Sequence, residues 1–146
     1  MPAPAHDLAT LLAGTLSLPS PATGTVVLTY AAAGNLLTGP VRAADHLVDN
    51  LAVFVLGTGG GAPEPYLGDG PNENLWRARV QVTVRGALDA FEQGEGLARA
   101  CLAELHLAEP SGYVSVRAQE SVPNYLGQDE RGCHLWTVNF VALWKA

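Results

Sequence analysis

In WRARVQVTVR (Trp76–Arg85), apolar and polar residues alternate without interruption, and this stretch constrains the fold more than any other. Trp76, Ala78, Val80, Val82 and Val84 fall on one side, with Arg77, Arg79, Gln81, Thr83 and Arg85 on the other. A period of two is that of a strand, not a helix, and it predicts one dry face and one wet, cationic face. Three of the chain's seven arginines stand on that wet face, although the net charge is −6. Repeated charge on a rigid sheet suits a docking surface better than a catalytic pocket.

The same period returns near the C-terminus. In His134–Leu143 (HLWTVNFVAL), Trp136, Val138 and Phe140 share one side; Leu135, Thr137, Asn139, Val141 and Leu143 share the other. Both sides are largely apolar, which suits a central strand or a strand whose second face meets a partner. Tyr113–Ala118 alternates too, and Gln128–Gly132 reads as a hairpin turn whose glycine supplies positive φ. Leu51–Thr58 is β-branched and short, hence a strand. Thr25–Tyr30 and Asn35–Thr38 are weaker strand candidates. Two segments carry helical spacing: Asp7–Leu16, through Leu8, Leu11, Leu12 and Leu16, and Leu88–Leu107, through Phe91, Ala98, Leu102 and Leu105. Gly94 and Gly96 weaken the second helix by about 1 kcal/mol each relative to alanine, which places its firm start near Gly96. Gly57–Asn74 is rich in glycine and proline and reads as a loop. The expected architecture is α+β: a mostly antiparallel sheet packed by one main helix and an N-terminal helix, in a single domain over residues 1–146.

Composition removes several classes of function. Hydrophobic residues make up 48% and charged residues 15%, too apolar for a disordered chain and lightly charged enough to expect apolar surface buried against partners. The acidic balance argues against a general nucleic-acid binder or a basic membrane-surface module. The longest apolar runs fall far short of a membrane span, and the N-terminus lacks the basic leader of a signal peptide. Two cysteines make no disulfide framework, which points to reduced thiols and synthesis in a cytoplasm. Cys101 is expected in the core and Cys133 partly exposed beside its turn.

Candidate chemistry is sparse. Cys101 and His106 are splayed around a helix, and Cys133 and His134 point to opposite sides of a strand, so neither pair has zinc-ligand spacing. The glycine run Gly59–Gly61 is not followed by Gly-Lys-Ser/Thr, so it lacks the pattern of a phosphate cradle. No G-x-S-x-G occurs. Asp45, His46 and Asp49 form one acid–histidine cluster in a polar stretch, read as solvated loop. The expectation is a protein that is not an enzyme, with no catalytic residue, metal or cofactor. For Arg77, Arg79 and Arg85 two readings stand: a solvated strand face paired with neighbours such as Glu120 or Gln119, or a contact with another subunit.

Several stretches, in order, resemble the tail terminator and minor capsid proteins of long-tailed bacteriophages: GNLLTGP (Gly34–Pro40), AVFVLGTGG (Ala52–Gly60), RVQVTVRG (Arg79–Gly86) and the long block YVSVRAQESVPNYLGQDERGCHLWTVNF (Tyr113–Phe140), with the helix between the last two. The first thirty residues and the glycine–proline loop do not share the resemblance. It implies a tail-terminator-like fold and a structural virion protein, made in the host bacterial cytoplasm. Such a protein forms a ring, typically a hexamer, that caps the head-proximal end of the tail tube, stops its polymerisation and offers a head–tail joining surface. The partners so implied are other copies of itself, the major tail tube protein and a head-completion or connector protein, with no membrane and no sequence-specific nucleic acid. Candidate contact residues, to a subunit or to the tube, are Arg77, Arg79, Arg85, Leu135, Val141 and Leu143. A head-completion adaptor or stopper, a tail-tube relative, and a small cytoplasmic enzyme or ligand-binding module are the alternatives.

Overall fold

A computed structural model describes residues 2–42, 44–65 and 74–145. Helix α1 (Pro4–Leu12) is followed by strands β1 (Gly14–Ser17), β2 (Thr25–Leu28), β3 (Leu36–Thr38), β4 (Ala52–Gly59), β5 (Glu64–Pro65) and β6 (Asn74–Arg85). Helix α2 (Phe91–Leu105) leads to β7 (Ser115–Ala118), β8 (Asn124–Gln128) and β9 (His134–Lys145). The main sheet runs β3-β4-β6-β9-β7, with β5 on β6 and β8 on β9, while β1 and β2 form a separate hairpin. Among the described residues these strands pair antiparallel except β3 with β4, and an isolated bridge from Tyr30 to Leu36 is also parallel. The fold is the expected α+β, and the two strands with the clearest alternation, β6 and β9, lie side by side at its centre.

The helix side of the sheet is the core. Val53, Val55, Val80, Val82, Val84, Val138 and Phe140 are fully buried there against Leu8 and Leu12 of α1 and Leu97, Cys101 and Leu105 of α2. Each such side chain contributes about 1.5–3 kcal/mol on burial. The hairpin β1–β2 closes the flank with Leu16, Val26 and Leu28. Cys133 does sit beside the turn but is only 1% exposed, which corrects the partial exposure expected of it: the turn's Asp129 accepts the Cys133 and Arg131 amides on one carboxylate oxygen, each at 2.9 Å.

Both helices differ at their ends from the spacing-based expectation. α1 stops at Leu12, where Ala13 turns extended and Gly14 follows at φ 120°, so Leu16 belongs to β1 and not to the helical stripe. Pro4 begins α1, and Asp7 folds back to accept the Ala3 amide at 3.0 Å, holding the first turn. α2 begins at Phe91, ahead of both glycines. They are contact points, not weak spots. A Cβ on Gly94 would sit 2.4 Å from the ring of Trp136, and one on Gly96 would sit 2.6 Å from the Ala22 methyl group. The missing side chains let α2 settle onto the sheet and onto the loop between β1 and β2.

Tyr113 donates its hydroxyl to Asp7 Oδ2 at 2.6 Å, tying the entry to β7 to the first turn of α1. Partial burial, followed by the neighbouring carboxylate, pushes the phenol well above its ordinary range.

Gly94→Ala is expected to destabilise the fold by about 1–3 kcal/mol through overpacking against Trp136, outweighing the roughly 1 kcal/mol of helix propensity gained. Urea unfolding followed by tryptophan fluorescence measures this. Both thiols should resist labelling in the native state, since burial pushes Cys101 to about 12 and raises Cys133 as well. Reaction with an aromatic disulfide reagent should proceed only at the rate of unfolding.

Candidate interaction face of the sheet

Directly opposed residues of antiparallel strands share a face, so the register assembles the outer side of the sheet row by row. Arg77, Leu143 and Ser115 form one row across β6, β9 and β7; Arg79, Val141 and Arg117 form the next. Gln81 with Asn139, Thr83 with Thr137, and Arg85 with Leu135 follow. Arg77, Arg79 and Arg117 are exposed, and they surround half-buried Val141 and Leu143. Arg77 reaches Glu64 at 3.9 Å, a loose surface pair. Among the described residues no carboxylate lies within ion-pair distance of Arg79 or Arg117. The sequence pattern of Tyr113–Ala118 placed Arg117 opposite Val116, but only the register puts it beside Val141.

In the middle rows the chain satisfies itself. Gln81 donates to Asn139 Oδ1 at 3.3 Å. Glu120, weighed above as a partner of the arginines, instead accepts from the Asn139 amide at 2.9 Å and from its side-chain nitrogen at 2.6 Å.

Arg85 departs from the wet face expected of it and is 7% exposed. Its Nη2 donates to the carbonyls of Leu47 and of Asn50, the latter at 2.9 Å. The segment 44–50, with a 3-10 turn at Asp45–Leu47, crosses the outer face here. It seals a second apolar cluster of Leu37, Leu47, Ala52 and Phe54. Arg131 fastens the same segment from the hairpin turn, donating to both Asp49 oxygens at 2.8 and 2.9 Å. That hydrogen-bonded guanidinium holds the Asp49 carboxyl below its usual range. A planar guanidinium on a long stem can serve two carbonyls while its methylenes stay in an apolar setting, which an ammonium does less well. The row that begins with open arginines therefore ends in a closed clasp. Leu135, also a candidate contact, is half-buried beside it.

A second surface escaped the sequence reading. At the start of α2, Phe91 (41% exposed) stands edge-on to Tyr125, His134 and Trp136 at centroid distances of 5.6, 5.0 and 5.2 Å. Tyr125 is exposed beside it, as are Leu88 and the acids Asp89 and Glu92, its near neighbours in sequence. Tyr125 lies on β8, a strand whose polar, glycine-containing run NYLGQ gives little periodic signal.

The other candidate groups are engaged elsewhere. His106 Nδ1 accepts the Ala118 amide at 3.0 Å, and His134 Nδ1 lies 2.6 Å from the Tyr125 hydroxyl. His46 Nε2 contacts the Gly34 carbonyl at 3.0 Å. No group of three or more His, Cys, Asp or Glu side chains is placed to hold a metal among the described residues. Among the described residues no helix is long and apolar enough to cross a membrane. A groove of about 700 Å³ runs between α2 and β1, with Leu16, Leu18 and Leu102 among its walls. Its Arg99 is committed to the Ser20 carbonyl at 2.8 Å. The expected loop Gly57–Asn74 is in part β4 and β5; its residues 66–73 lie outside the described residues.

What fold and surface define is an α+β protein whose sheet, among the described residues, keeps one end of its outer face uncovered and cationic. A family model described as bacteriophage tail terminator protein matches residues 38–144, from the end of β3 to the end of β9. The chain belongs to that family, and so to the components of the virion tail. No curated protein matches it.

Arg85→Ala should destabilise the subunit by about 1.5–3 kcal/mol, because the buried Leu47 carbonyl and the part-buried Asn50 carbonyl lose a charged donor; thermal unfolding would show it. Asp49 has a lowered folded-state pKa, so its contribution is present above the unfolded value of about 4 and is lost as pH falls through the folded value. Unfolding scans between pH 7 and pH 3 should therefore show a steeper acid-side loss for the wild type than for Asp49→Asn.

Proposed function

We propose that copies of this chain close into a ring, six being the number the family resemblance implies, on the head-proximal end of the tail tube. The ring occupies the growing edge, prevents addition of a further layer of tube protein and presents its far side to a head-completion or connector protein. The work is non-covalent. It consists in covering a surface that would otherwise recruit more tube.

The family match over residues 38–144, which takes in nearly all of the large sheet, carries this reading. The open end of the outer face supports it, since Arg77, Arg79, Val141 and Leu143 combine an apolar centre with guanidinium groups, a composition favoured at protein–protein contacts. On this reading these four are subunit or tube contacts. Leu135 sits at the margin, and Arg85 acts from within by holding the segment beneath which a partner could not pass.

Adding the purified protein to polymerising tail tube protein should shorten the tubes seen by electron microscopy and leave a ring at one end only. Arg79→Glu should lower ring formation at least tenfold while leaving the circular dichroism spectrum unchanged. Tubes of unaltered length at saturating wild-type protein would overturn the proposal.

A further inference from the structure

We infer that the arginine end of the outer face takes, as its occupant, the start of α2 from a second copy of the chain. The inference rests on the ring reading and specifies which two surfaces meet.

The two surfaces are chemically complementary. The arginine end has Val141 and Leu143 at its centre and Arg77, Arg79 and Arg117 around them. The α2 surface has Leu88, Phe91 and Tyr125 exposed at 41, 41 and 49%, with Asp89 and Glu92 exposed beside them. Among the described residues, neither Asp89 nor Glu92 has a cation within ion-pair distance. Among the described residues each patch therefore offers apolar area and charges without an ion partner, Arg79 and Arg117 on one and Asp89 and Glu92 on the other, and these charges are opposite.

Their placement keeps one copy from satisfying itself. The acidic patch begins just beyond Arg85, where β6 ends, and lies on the helix side, since Phe91 packs on core-facing Trp136. Arg79 lies six residues back along β6, roughly 20 Å at the usual rise of a strand, and faces the other way. The two patches thus occupy opposite ends and opposite faces of the same sheet. A two-fold pairing through the arginine end would set arginines against arginines. A head-to-tail contact sets arginine against carboxylate, and it closes a ring when its rotation divides a full turn without rise along the axis. The net charge of −6 adds a condition: copies repel at long range unless opposite patches are brought together, so association should depend steeply on salt.

A charge exchange tests the contact. One variant carries Arg79→Glu with Arg117→Glu, the other Asp89→Arg with Glu92→Arg. All substituted residues are exposed, and circular dichroism with thermal unfolding checks that each variant folds. Should a reversal disturb folding, the neutral pairs Arg79→Gln with Arg117→Gln and Asp89→Asn with Glu92→Gln test the loss of association. Sedimentation velocity across concentration and salt is the readout. The wild type should associate, each variant alone should lose at least tenfold in association, and an equimolar mixture of the two reversed variants should recover most of it. Wild-type association by either folded variant, or a mixture that stays at monomer mass, would overturn the pairing. So would a wild type that remains monomeric at every concentration. The tube-length assay separates the two proposals: shortened tubes without the charge exchange would retain the ring cap and remove this contact, and the exchange without shortened tubes would do the reverse.

Discussion

The pairing of β6 with β9 is the constraint on which the rest of the molecule depends. It runs unbroken from Leu75 opposite Lys145 to Arg85 opposite Leu135. Because side chains alternate, this one register decides both faces at once. It stacks Val80, Val82 and Val84 with Phe140, Val138 and Trp136 beneath the helices, and it aligns Arg77 and Arg79 with Leu143 and Val141 outside. A slip by one residue would bury arginines and expose valines, so the buried face enforces the register of the open one. The outer rows are in that sense a by-product of a core that permits no alternative.

The core also explains features that look like defects from one dimension. Gly94 and Gly96 cost helix propensity, yet they admit the Trp136 ring and the Ala22 methyl group at distances where a Cβ would collide. Trp136 in turn supports Phe91, and through it the exposed aromatic cluster at the start of α2. A packing solution inside the subunit thus shapes a surface outside it.

Much of this was legible in the residues. Strict alternation located β6, β7 and β9, and β-branched content located β4, because a half-buried strand imposes its period on the sequence. The strands β1 and β8 were not legible. The first is a short run hidden by leucines that continue the helical spacing, and it begins at a glycine, Gly14, whose φ only the structure gives. The second contains Gly127 at φ 98° and a register shift, so it has no period to detect. The candidate face was partly visible. Arg77, Arg79, Val141 and Leu143 could be assigned to open sides of their strands, but Arg117 joins them only through long-range pairing. Arg85 leaves them because Leu47 and Asn50, more than thirty residues earlier, supply carbonyls that no local pattern announces.

The clasp at Arg85 gives the sheet an orientation. One half of its outer side is sealed by the chain's own segment 44–50, with Arg131 locking that segment to the hairpin turn. Among the described residues no segment crosses the other end. A molecule approaching this side meets the chain's own segment over the first end and exposed Arg77, Arg79 and Arg117 at the second, so the strands act as an arrow with a blocked head and a receptive tail. An assembly built through such a subunit inherits that arrow. Its two rims would be unlike each other, as befits an object that must bind one thing below and another above.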